Sequence, residues 1–400
     1  MRRIYMDANA TTPLLPEVFE AMRPFFLEHY GNASSIHQQG QFARAAVDHA
    51  RDQIAHLLHC RTSEIVFTSG GTESDNLALF GTLENAAAPA HFITTSIEHD
   101  AILRAAAALA KKKIEVTILP STPQGVIEPT ALLAAIRPET KLVSVMFANN
   151  ETGVIQPIAA LAAIAHASGA LFHTDAVQVV GRLPLDLSPK GALKDVDLLT
   201  ISGHKIYAPK GIGALFVRRN VRLAPMLYGG SHERQRRAGT ENVAGIVGLG
   251  KAAELANIWL AEDSPIDGPT HLTALRDRLE QGILSQVEER GVNGEGAPRV
   301  SNTSSLYFDH VEAEALVIAL DLKGLSVSGG SACQSGATEP SHVLTAMGLS
   351  PARARASIRF SLSRLTTAQE IDEALALIPA AVARLRDLSP TWNKTTLIPA

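Results

Sequence analysis

Several polar residues stand at or near the ends of short apolar runs in this sequence, and together they can act on a carbonyl compound. Lys205 closes Leu198-Leu199-Thr200-Ile201-Ser202-Gly203-His204-Lys205. Desolvation at the end of a buried strand favours a neutral amine, which forms a Schiff base with an aldehyde, the bond that holds pyridoxal phosphate. A surface lysine after a strand fits the same stretch. Asp175, ending Phe172-His173-Thr174-Asp175, can keep a pyridine nitrogen protonated and so make the ring an electron sink; it can equally cap a helix. Gln178, three residues on, can donate to a ring hydroxyl oxygen or face solvent. His99 can stack on a ring and move protons near neutral pH, or cap a helix beginning at Asp100. Ser69-Gly70-Gly71-Thr72 joins a strand to a helix, where backbone N–H groups and the Thr72 hydroxyl can hold an anion. The spacing is neither the dinucleotide fingerprint nor the P-loop, and two glycines can serve only to turn. One site explains Thr72, His99, Asp175, Gln178, His204 and Lys205 together, where separate readings need six explanations.

Such residues need strands behind them, and the chain supplies a series. Ile65–Thr68, His91–Thr95, Ile114–Leu119, Leu142–Phe147, Leu171–Thr174, Leu198–Ile201 and Ala214–Val217 read as buried strands, mostly separated by Ala-rich helical patterns. The alternation predicts an α/β fold with a mainly parallel sheet and helices on both faces, whose ligands sit at the carboxyl ends of the strands. Helices are predicted over Glu17–Tyr30, Phe42–Leu58 and Glu73–Leu83. From about Gly250 the pattern changes to long helices, His271–Glu289 and Thr367–Leu388, around a few strands such as Ile358–Ser361. We expect a large domain over 15–255 and a smaller α+β domain over 256–400, joined by the extended residues 1–14.

Composition narrows the classes of partner. A 46% hydrophobic share with 19% charged residues describes a chain with a large core, and a net charge of −4 offers no electrostatic case for nucleic acid or a membrane surface. The N-terminus lacks the apolar stretch of a signal peptide, no apolar run is expected to span a bilayer, and the reading is cytoplasmic. Two cysteines, Cys60 and Cys333, exclude a disulfide framework. Cys60 follows Leu57-Leu58 and reads as an inert core thiol. His56 and His59 beside it lack a second ligand group at zinc spacing, so no metal is expected.

The motifs carry a resemblance over nearly the whole chain. Asp7-Ala8-Asn9-Ala10-Thr11-Thr12-Pro13, Thr68-Ser69-Gly70-Gly71-Thr72-Glu73-Ser74, Asn149-Asn150-Glu151-Thr152-Gly153, His173-Thr174-Asp175-Ala176-Val177-Gln178, Ser202-Gly203-His204-Lys205, Arg237-Ala238-Gly239-Thr240-Glu241-Asn242 and Ser331-Ala332-Cys333-Gln334-Ser335-Gly336 resemble the cysteine desulfurases of the NifS/IscS group, class V aminotransferase-like enzymes. Three of these wordings look closer to NifS than to IscS. The resemblance implies a fold-type-I pyridoxal-phosphate enzyme, a homodimer, that turns L-cysteine into L-alanine and leaves the sulfur as a persulfide. It implies sulfur supply to an iron-sulfur scaffold of the NifU/IscU kind, with nitrogenase as one destination. By position, Lys205 is the Schiff-base lysine, His99 the ring-stacking acid/base and Cys333 the nucleophile. Asp175 and Gln178 hold the pyridine ring; Gly71, Thr72, Ser202 and His204 fall on cofactor positions. Thr240 is expected to reach the phosphate of the neighbouring subunit, and Asn150 and Arg359 to hold the substrate carboxylate. The small, Gly- and Ser-rich run around Cys333 is expected to let the thiolate travel. The chain departs from the family at Ala33, where Pro is usual, at a longer stretch over Ser188–Asp195, and at Gln334, where Thr is common.

Overall fold

The computed structural model describes residues 3–84, 89–261, 268–329 and 340–392. Its strands in chain order are β1 (Ile4–Tyr5), β2 (Ile65–Thr68), β3 (His91–Thr95), β4 (Glu115–Leu119), β5 (Thr140–Ser144), β6 (Leu171–Asp175), β7 (Leu198–Ser202), β8 (Gly213–Val217), β9 (Arg290–Val292), β10 (Thr303–Phe308), β11 (Leu325–Ser326), β12 (Ser328–Gly329) and β13 (Ser357–Ser361). Strands β2 to β8 form one sheet in the spatial order β2-β8-β7-β6-β5-β3-β4. Pairs from β7 to β4 are parallel, and β8 runs against both of its neighbours. Every residue of β2, β3, β7 and β8 is buried, because helices cover both faces. Alternation divides the side chains. Ile65, Phe67, Leu199, Ile201 and Phe216 face one core; Val66, Leu198, Leu215 and Val217 face the other, under the helices Gly71–Leu83 and Asp100–Lys111.

A second, antiparallel sheet runs β12-β13-β10-β9. It packs with the helices Pro269–Gln286, Ala313–Asp321 and Ala368–Leu388 around Leu279, Phe308, Leu316, Phe360 and Ile378. The N-terminal strand belongs with this core: β1 pairs parallel to β11, and Ile4 and Met6 are buried there. Residues 7–14 then lead from this core to the edge of the larger one, with Thr12 bonded to the carbonyl of His204.

Three expectations change. The helix predicted over Glu17–Tyr30 is two helices, Pro16–Met22 and Pro24–Leu27, because Pro24 has no N–H to continue the ladder. The helix expected from Phe42 begins at Gln38, where the His37 ring caps it by accepting from Gly40 N. The expectation that no run could span a bilayer is also corrected: the helix Val243–Leu260 is long and apolar enough by length and composition. Small residues explain its place in the core. Gly250 lies so near the helix Gln38–Leu57 that a Cβ on it would sit 2.6 Å from Ala50 Cα. The longer Ser188–Asp195 stretch is tied down by Arg218, whose guanidinium donates to the carbonyls of Leu187, Leu193 and Val196.

Gly213 opens β8 between Thr68 and Ser202, the last residues of β2 and β7. A Cβ there would meet Ile201 O at 2.6 Å and Gly70 Cα at 2.7 Å, both backbone atoms with nowhere to go. Gly213→Ala should therefore lower stability by about 1–3 kcal/mol, read as a lower urea midpoint. An unchanged midpoint would show that the three segments have slack.

Candidate active site

The parallel strands β3, β5, β6 and β7 end on one side of the sheet, and a cavity of about 310 Å³ opens there. After Ser202, a short 3-10 turn, Gly203–Lys205, swings Lys205 into the cavity. Its Nζ donates to the backbone carbonyls of Asn9 and, at 2.8 Å, Ala10. The amine is thus held by neutral acceptors supplied from 196 residues away.

Asn9 ties the site to the second core. Its Nδ2 donates to Asn150 O at 3.1 Å and Thr303 Oγ1 at 2.9 Å, while its Oδ1 accepts from Asn302 and Arg182. Arg359, on β13 and 1% exposed, donates from Nη1 to Asn150 O and from Nη2 to Asp7. Its Nε is buried with no hydrogen-bond partner among the described residues. A buried guanidinium N–H in a cavity wall suits an incoming carboxylate, which would satisfy it.

Asp175 ends β6, its Oδ1 accepting from Val177 N at 2.9 Å. Burial pushes its carboxyl up, while that bond and the nearby His99 and Lys205 hold it back. A cationic ring nitrogen placed against it would favour the ionised form further. His99 caps the helix Asp100–Lys111: Nδ1 accepts from Ala101 N at 3.1 Å, so in the neutral ring the proton is on Nε2. The helix-capping reading of His99 therefore holds, and the same residue lines the cavity. His204 is pulled down to about 4 by burial and then by Lys205 and Lys210, so it is neutral at pH 7. Its Nδ1 lies 3.0 Å from Thr11 Oγ1; with that hydroxyl donating, an Nε2–H is available to an anion.

Gly71 and Thr72 open the 13-residue helix Gly71–Leu83, beside Ser202. Gly70 takes φ of 155°, a conformation that residues with a Cβ rarely adopt, and a Cβ on Gly71 would sit 3.1 Å from Val177 Cγ2. The two glycines leave a backbone cradle at a helix N-terminus, fit for a phosphate. With the amine of Lys205 and the carboxyl of Asp175 in the same cavity, the residues present fit pyridoxal phosphate.

Ten of the predicted residues line this one cavity: Gly71, Thr72, His99, Asn150, Asp175, Gln178, Ser202, His204, Lys205 and Arg359. Thr240 does not; it is exposed within the single chain. Cys333 and Gln334 lie outside the described residues. Sequence reasoning gave no role to Asn9, Asp75, Glu151 and His342, which also line the cavity. Asn9 stood in a motif already noted, but nothing local marked it as the partner of Lys205. Cys60 is half-buried rather than a core residue, and burial pushes its thiol up to about 12.

Fold and site together define a fold-type-I pyridoxal-phosphate enzyme, and comparison agrees: the aminotransferase class-V family matches residues 4–374. The chain belongs to that family and, within it, to the cysteine desulfurases. It is 50% identical over 393 residues to Cysteine desulfurase 2 of Trichormus variabilis, covering 98% of this chain and 96% of that relative. It is 45% identical over 394 residues to Cysteine desulfurase IscS of Methanosarcina thermophila, covering 98% and 95%. A solved NifS-like protein superposes with a TM-score of 0.86 at 35% identity, covering 96% of this chain and all of that one.

A carboxyl beside the site gives a pH signature. Glu98 is fully buried; its Oε1 accepts from Thr95 Oγ1 and Met146 N, and its Oε2 has no partner among the described residues. Burial raises it from 4.5 to about 8, so the folded chain binds this proton more tightly than the unfolded one. Its contribution to stability is complete below the unfolded value and is lost as pH rises through about 8. Glu98→Gln keeps the accepting oxygen and cannot ionise. Its urea midpoint relative to wild type should improve between about pH 5 and pH 9, by the equivalent of roughly 1–3 kcal/mol. A difference independent of pH would mean Glu98 is charged in the folded chain.

Proposed function

We propose that this chain converts L-cysteine to L-alanine with pyridoxal phosphate on Lys205 and leaves the sulfur as a persulfide on Cys333. The observation that carries the reading is the cavity in which Lys205, His99, Asp175 and an Arg359 Nε without a partner among the described residues converge. When bound, pyridoxal phosphate supplies an aldehyde for the substrate amine and a ring that takes up electrons released at Cα. Arg359 and Asn150 orient the substrate carboxylate, which fixes the Cα–H relative to Lys205. Lys205 would take the α-proton at Nζ. Asp175 would hold a proton at the ring nitrogen, Gln178 would donate to the ring oxygen, and Gly71, Thr72, Ser202 and His204 would hold the phosphate. His99 exchanges a proton through Nε2. The Cys333 thiolate attacks the substrate sulfur: an S–S bond forms, the C–S bond breaks, and the electron pair left on carbon takes a proton to give alanine.

The working unit in this reading is a homodimer in which Thr240 completes the phosphate site of the partner subunit. Exposed Ile36, Tyr30 and Tyr228, at 91%, 77% and 81%, support a covered face in this region, because Ser34 Oγ bonds His232 Nε2 and so joins the two loops. The persulfide passes to an iron-sulfur scaffold of the NifU/IscU kind, in the cytoplasm, and the NifS-like motif wording favours nitrogenase as a destination.

Lys205→Ala should fold and lose alanine production by at least about a hundredfold, measured with L-cysteine and a thiol. Retained turnover would remove Lys205 from the chemistry and with it the reading. Cys333→Ser should still change the visible spectrum on adding cysteine but form no persulfide by mass spectrometry, since a hydroxyl cannot take up sulfane sulfur. Cys60→Ser should stay near wild type, because that thiol remains protonated and is absent from the cavity lining. Added sulfur found on Cys60 would reassign the nucleophile.

A further inference from the structure

Arg182 is 7% exposed and does not line the cavity. One of its nitrogens, Nη1, donates to Gln178 Oε1 at 2.6 Å, Gln178 O at 2.9 Å and Asn9 Oδ1 at 3.2 Å. All three acceptors are neutral. Tyr207 and Arg359 act on it, Lys205 and Arg364 line a small cleft with it, and none of these four is a carboxylate. Burial pulls the guanidinium down to about 10, which leaves it charged at neutral pH. A buried charge without a counter-ion is expensive, and proteins retain such groups where they serve a site.

The amide of Gln178 is oriented from both ends. A guanidinium can only donate, so the atom facing Arg182 is Oε1; a carbonyl can only accept, so the atom facing Asn9 O, 3.2 Å away, is Nε2. The second Nε2 hydrogen then remains for the cavity that Gln178 lines. We propose that Arg182 is a positioning residue which, through Gln178, fixes a donor and sets a positive charge against the phenolic oxygen of the cofactor. This rests on the reading that the ring lies between Asp175 and Gln178. A cation on that side stabilises the phenolate and so makes the conjugated imine nitrogen more acidic.

The test is a pH titration of the visible band of the purified holoenzyme, comparing wild type with Arg182→Gln, Arg182→Met and Arg182→Lys. Both neutral variants should raise the midpoint by about one unit or more, and lysine should bring it back toward wild type. An unmoved midpoint in the neutral variants overturns the proposal, since a purely structural arginine would not set the acidity of the chromophore. If neither neutral variant loads cofactor, Gln178→Leu breaks the same link from the cavity side and must give the same rise. An unmoved midpoint there overturns the proposal equally. Wild-type protein loaded with pyridoxal phosphate but lacking a visible band fails differently, because it removes the Lys205 reading on which the proposal stands.

Discussion

The hydrogen bonds that converge on Asn9 are what the arrangement depends on. Its backbone carbonyl receives Lys205 and Gln178 from the larger core, and its side chain holds Asn150, Asn302 and Thr303. Asn9 N is itself fixed by Ser361 Oγ on β13. Each partner is buried or half-buried, so a lost bond would leave an unsatisfied polar group rather than one rehydrated at little cost. The amine of Lys205 and the guanidinium of Arg359 therefore keep their relation although they come from different cores.

Charge is the second constraint. Asp75, Glu98, Glu151 and Asp175 are all buried around the cavity, and burial raises each of them. They cannot all ionise in so small a space. Asp75 and Asp175 oppose one another directly, and Asp175 has both His99 and Lys205 near enough to favour its charge. In the proposed arrangement the negative charge collects on Asp175, where the ring nitrogen needs it, while burial favours the protonated form of Asp75 and Glu98.

Much of this was legible because it is local. A strand that is buried on both faces reads as an apolar run, and the residue that follows it reads as a site candidate; Asp175, Lys205 and Thr72 were found that way. Long-range partners left no such mark. Asn9 lies 196 residues from Lys205, and the Lys205 stretch gives no hint of a carbonyl supplied from the N-terminus. Arg182 is four residues from Gln178, yet no motif in the sequence marked it as the partner of that amide. Cys60 looked like a core residue because its neighbours are apolar, whereas the chain turns outward at His59, which takes a positive φ of 51°.

The register of β12 ties two parts of the chain to the wall of the cavity. Ser328 is paired with Arg359, and Gly329 with Ile358, so this strand is anchored beside the group proposed to hold the substrate carboxylate. Further along, Ser341 Oγ donates to the buried Glu151 at 2.6 Å. Arg359 and Glu151 both line the cavity, so one wall residue is fastened by strand pairing and another by a buried hydrogen bond. A change that loosens either residue is therefore felt twice, in the shape of the wall and in the footing of the chain that rests on it.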